Sequence, residues 1–131
     1  MRPFCFFADF GDWERGPEIY TNVPQPVAKA QGRFIDRPDA VQSNIFLGLP
    51  VPDPASPEYT RLQFVNSLFG SAGFLSRLIQ NIREDKGYAY SPGSGIRSHY
   101  RDAIWQTSAN VDSASTGPAL SEIFHEIRRR R

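Results

Sequence analysis

Residues 74–95, FLSRLIQNIREDKGYAYSPGSG, decide how the rest of the chain is read. Leu75, Leu78, Ile79 and Ile82 fall at helical spacing and predict an apolar stripe, with Arg77, Gln80, Asn81 and Glu84 facing the other way. Lys86-Gly87 is a fitting helix end, a cation at the negative end of the dipole followed by a residue free to adopt positive φ. A strand over 88–96 follows at once. Arg83 lies at the edge of the stripe and Tyr90 just inside the strand, so the turn aims a guanidinium and a phenol at one neighbourhood. Together such groups can donate to a carbonyl, or to the oxyanion that replaces it in a tetrahedral intermediate. The plain alternative is structural, with Arg83 paired to a carboxylate and Tyr90 a strand aromatic.

Upstream, Ser56-Pro57-Glu58 reads as a helix start: a hydroxyl cap, proline at the first helical position and a carboxylate near the positive dipole end. Leu62, Val65 and Phe69 give that helix its apolar spacing, and Gly70 is expected to stop it. Residues 32–38 (GRFIDRP) and 42–50 (QSNIFLGLP) read as strands, the second with Ile45, Leu47 and Leu49 alternating and Pro50 ending the run. Residues 3–10 (PFCFFADF) suggest a short buried strand before the turn Gly11-Asp12. The proline- and glycine-rich 16–27 is patternless, as a connection would be.

Downstream, 97–102 (RSHYRD) is a polar turn into a strand over 103–111, where Trp105, Thr107, Ala109 and Val111 make one apolar face. Pro92 marks its partner strand as an edge or a bulge. Asp112-Ser113 then caps a last helix with the stripe Leu120, Ile123, Phe124 and Ile127, ending in arginines 128–131. The order strand, strand, helix, helix, strand, strand, helix predicts an α+β fold, an antiparallel sheet with helices packed on one face.

Composition narrows the function classes. A chain of 131 residues with 40% hydrophobic and 13% aromatic residues is one globular domain's worth. A net charge of +1 gives no electrostatic case for a polyanionic partner, and arginines 128–131 read as a helix end rather than a nucleic-acid patch. The single cysteine, Cys5, excludes an internal disulfide, and inside an apolar strand its thiol is inert. The apolar run at the start is short and broken by Pro3 and Asp9, no signal peptide, and nothing later is long enough to span a membrane. The expectation is a soluble segment, with its compartment open.

A zinc hydrolase needs about three protein ligands and an open position for water. The chain has two histidines, His99 in the polar turn and His125. The run from His125 begins like H-E-x-x-H, but Arg129 stands where the second histidine belongs, and a guanidinium cannot ligate a cation. No metal site and no catalytic residue is expected in this chain. Gly93-Ser94-Gly95 predicts a bulge or a close backbone approach, not a phosphate cradle.

These residues resemble a known family. The FGDW at 10–13, the proline-rich connection and IDRPDAVQSNIFLGLP at 35–50 are similar to the junction between the two homologous domains of insulinase/pitrilysin-type zinc metallopeptidases. The run 73–95 resembles the signature of the second, non-catalytic domain, roughly S-R-L-x-x-x-x-R-E-x-x-G-x-A-Y, with Ser76-Arg77-Leu78, Arg83-Glu84 and Gly87-Tyr88-Ala89-Tyr90 at the matching places. The likeness covers about residues 8–131. It implies that 1–15 end a preceding homologous domain, 16–31 connect, and 32–131 are part of the non-catalytic peptidase domain.

In that family the first domain holds zinc through H-x-x-E-H and a further glutamate, and the second closes over the peptide substrate. The resemblance therefore implies a substrate-binding role for Arg83 and Tyr90, zinc in a catalytic domain on the same or a separate chain, and no activity of this chain alone. It implies neither a nucleic-acid nor a membrane partner for this segment. Two other readings stay open: a structural or assembly subunit of a processing-peptidase-like complex, and a non-functional gene fragment.

Overall fold

In the computed structural model, which describes residues 16–17, 24 and 26–129, regular structure begins with β1 (Gln42–Val51). Cys5, the strand expected at 3–10 and the end of the expected preceding domain lie outside the described residues. Helix α1 (Pro57–Asn66) follows, then a π-helical turn (Ser67–Ser71), a single 3-10 turn (Gly73–Leu75) and a π-helical segment (Ile79–Asp85). Strands β2 (Gly93–His99) and β3 (Asp102–Asp112) lead through another 3-10 turn to α2 (Thr116–Arg128).

The sheet is antiparallel with β3 in the middle, in the order β1-β3-β2. Alternation along β3 puts Ala103, Thr107, Ala109 and Val111 into the buried layer, and Ile45 comes in from β1. Phe69, Leu78, Ile82, Ala119 and Ile123 complete the core from the helices. This is an α+β layer fold with its helices on one face of an antiparallel sheet.

Ser56 caps α1 as its residue type dictates, its hydroxyl oxygen accepting from the Glu58 N–H at 3.1 Å, with Pro57 at the first helical position. Gly70 does not stop the chain's helical course; the π turn runs through it to Ser71. What Gly70 supplies is room. A Cβ there would stand 2.4 Å from Ser94 Oγ and 2.7 Å from Ser94 N, so only glycine lets this turn reach β2. That is the close backbone approach expected at 93–95.

Four expectations are corrected. Residues 32–38 form no strand: Phe34 and Ile35 are exposed, and the segment pairs with no edge. β1 continues through Pro50 to Val51, which its place at the edge of the sheet tolerates. In α1 the inward residues are Tyr59, Asn66 and, beyond its end, Phe69, while Val65 is exposed. In α2, which starts at Thr116 after the 3-10 turn rather than at Asp112-Ser113, Ala119, Ile123 and Glu126 face inward and Phe124 and Ile127 lie outside.

Candidate functional site

The segment 74–92 carries the site. Gly73 takes φ +59 and opens the 3-10 turn, Ser76 N–H closes it on Gly73 O at 2.9 Å, and the Gln80 side chain donates to Phe74 O at 2.8 Å. Leu75 is thereby turned out to 85% exposure and Ser76 takes the fully buried place beside Leu78 and Ile82, a correction to the expected stripe. Gly87, at φ +66, ends the helix; its N–H donates to Arg83 O at 3.0 Å and the Tyr88 N–H to Ile82 O at 2.8 Å.

Beyond Gly87 the chain touches β3 once, at the Ala89–Val111 bridge, before β2 begins at Gly93 opposite Ser108. Tyr90, Ser91 and Pro92 thus oppose only Ala109 and Asn110, which makes this a bulge on the edge strand, as Pro92 predicted. The strand expected from residue 88 starts five residues later, at Gly93, and the turn tightens to Tyr100-Arg101, with Arg101 at φ +61. Because Tyr90 sits in the bulge, its ring is 78% exposed instead of lying in the sheet.

Arg83 and Tyr90 do come together. The Arg83 guanidinium carbon lies 4.6 Å from the centre of the Tyr90 ring and 5.0 Å from that of Phe74. Cation–π attraction accounts for both contacts. Glu84 Oε1 takes the Nε edge at 3.3 Å. The carboxylate neighbour of the structural alternative is present as Glu84, and Arg83 also faces an aromatic platform. Phe74 was missed at the sequence level, where it read only as the residue before the stripe.

On the same helix Arg77 is used differently. Its Nε and Nη2 both reach Glu126 Oε2, at 2.9 and 2.6 Å, and Nη2 also donates to the Glu126 carbonyl at 3.0 Å. Asn81 Nδ2 donates to Glu126 Oε1 at 2.9 Å and to Glu122 at 3.1 Å, and Arg129 reaches Glu126 Oε1 at 3.3 Å. Arg77 and Asn81 therefore face α2, not solvent. Burial pushes the Glu126 carboxyl pKa up, but hydrogen bonds from Asn81 and Arg77 and the charges of Arg77 and Arg129 outweigh it, leaving the group below its ordinary 4.5.

Glu126 is the glutamate of the H-E-x-x-H near-match, and its carboxylate is occupied by two guanidiniums. His125 and His99 are both exposed, the latter at the end of β2 opposite Asp102. Among the described residues no three His, Cys, Asp or Glu side chains converge as metal ligands. No helix among the described residues is long and apolar enough to cross a membrane.

The model of the peptidase M16 inactive domain matches residues 9–131. The chain belongs to the peptidase M16 inactive-domain family. A crystal structure of a peptidase M16 inactive domain from Pseudomonas fluorescens superposes with a TM-score of 0.64 at 20% identity, over 67% of this chain and 21% of that one. At that identity the likeness speaks for the fold, and the chain spans about a fifth of the length of that M16 structure. No curated protein sequence matches.

Proposed function

We propose that this M16 inactive domain is the zinc-free half of a metalloendopeptidase, which closes over a peptide and holds it against a catalytic domain on the same or a separate chain. Arg83 and Tyr90 make the contact. Both are donors, and a peptide's carbonyl oxygens are the acceptors its backbone offers at every residue. The observation that carries the reading is their convergence in the bulge after Gly87, where the ring is exposed and the cation is stacked rather than buried in a closed network. By contrast, the neighbouring Arg77 is closed on Glu126.

Zinc, held by the catalytic domain, would supply the activated water. What this chain contributes is binding and orientation, which lower the cost of bringing the scissile carbonyl to that water. Charge also matters: the guanidinium beside a carbonyl favours the electron density that moves onto its oxygen as water adds.

The test is reconstitution with an internally quenched fluorogenic peptide. This chain alone is expected to hydrolyse nothing, and the catalytic domain is expected to gain peptide turnover when the two are assembled. Assembly without any gain would turn the reading toward a structural subunit. A chain that shows no cooperative unfolding transition would be a remnant, and the proposal would fall.

A further inference from the structure

We infer that Phe74 is a positioning residue: its ring steadies the Arg83 guanidinium against Tyr90, so that the terminal N–H groups meet the peptide already oriented. This rests on the reading of Arg83 as a peptide contact. Phe74 is 64% exposed and is not part of the core cluster, so burial does not explain a phenylalanine there. Its backbone, however, is held tightly. The Gly73 turn and the Gln80 amide on Phe74 O fix the direction from which the side chain leaves the chain.

Three separate backbone segments meet at one cation: Phe74 from the 3-10 turn, Arg83 from the last turn of the π-helical segment, and Tyr90 from the bulge. A guanidinium on a long flexible stem, resting on one exposed ring, samples many orientations. A second ring at 5.0 Å and Glu84 on the Nε edge reduce that freedom, and among the described residues no hydrogen bond is made by the terminal nitrogens. Orientation paid for in the free protein need not be supplied on binding.

The experiment compares Phe74→Leu, Phe74→Tyr, Arg83→Ala and the double variant Phe74→Leu/Arg83→Ala in the chain assembled with its zinc-bearing domain, using the fluorogenic peptide. Loss of one exposed cation–π contact corresponds to a rise in KM of about two- to fivefold for Phe74→Leu, with kcat unchanged. Phe74→Tyr should keep the wild-type KM, and Phe74→Leu should add nothing once Arg83 is alanine. The Arg83 Nε proton resonance, shifted by two ring currents in the wild type, should move toward its ordinary position in Phe74→Leu. A wild-type KM for Phe74→Leu beside a raised KM for Arg83→Ala overturns the role of Phe74 alone. The same holds if the Phe74→Leu effect persists undiminished in the double variant. An unchanged KM for Arg83→Ala overturns the reading of Arg83 as well.

Discussion

Arg77 and Arg83 stand at the two ends of the same short helical run, with side chains covered to a similar degree, 31% and 27% exposed, but with different partners. Arg77 spends its donors on Glu126, a carboxylate 2% exposed, and on that residue's carbonyl, locking the helical run to α2. Arg83 rests on two exposed rings with a single, exposed carboxylate at its edge. Arg77 is held by charge-assisted hydrogen bonds to an internal carboxylate, whereas among the described residues the terminal nitrogens of Arg83 make no hydrogen bond. The residue type says little by itself; its neighbours decide whether it is structural or poised for a ligand.

The largest effect should come from opening the closed network. Arg77→Met keeps much of the side-chain volume but strips Glu126 of its best partner, at a cost of about 2–3 kcal/mol. A lowered urea midpoint with an unchanged m-value would show it. If the midpoint hardly moves, Asn81 and Arg129 suffice for Glu126, and Arg77 is no more structural than Arg83.

Acid should act on the same network. The folded pKa of Glu126 lies below its ordinary 4.5, so the unfolded chain binds its proton more readily. The stability this group contributes is therefore fully present above pH 4.5 and is lost as pH falls through the lower folded value. Glu126→Gln should flatten that acid-side loss in urea titrations run at successive pH values, with Arg77→Met in between. Equal slopes for wild type and Glu126→Gln would mean that other carboxylates govern acid unfolding.

The smallest stability effect belongs to the open site. Arg83→Ala removes contacts to two exposed rings and one exposed carboxylate and should cost no more than about 0.5–1 kcal/mol by the same urea measurement. A loss as large as that of Arg77→Met would make Arg83 a structural residue like its neighbour.

Much of this was legible in the residues themselves. The Ser56-Pro57-Glu58 start, the Gly87 stop, the Pro92 bulge and the meeting of Arg83 with Tyr90 all follow from local chemistry that operates within a few residues. The errors cluster where the helices depart from a 3.6-residue period. The 3-10 turn at Gly73–Leu75 turns Leu75 out and leaves the buried place to Ser76, and at the end of α1, where the chain passes into the π turn, Asn66 is buried instead of Val65. Asn66 could not have been placed by pattern. Its buried side-chain oxygen accepts from Ser94 at 2.6 Å and from the Trp105 ring N–H at 2.9 Å, partners contributed by two strands far along the chain. The inward turn of Glu126 likewise depends on Arg77, 49 positions away. Residues 32–38 had strand-like composition, yet a strand exists only where another edge accepts it.

The most direct test of the contrast is the KM for one fluorogenic peptide of the proposed assembly with a zinc-bearing domain, measured for Arg77→Met and Arg83→Ala under conditions where both are folded. Arg83→Ala should raise KM, and Arg77→Met should keep the wild-type value. A raised KM for Arg77→Met with Arg83→Ala unchanged would contradict this, and would move the peptide contact to the α2 side of the helix.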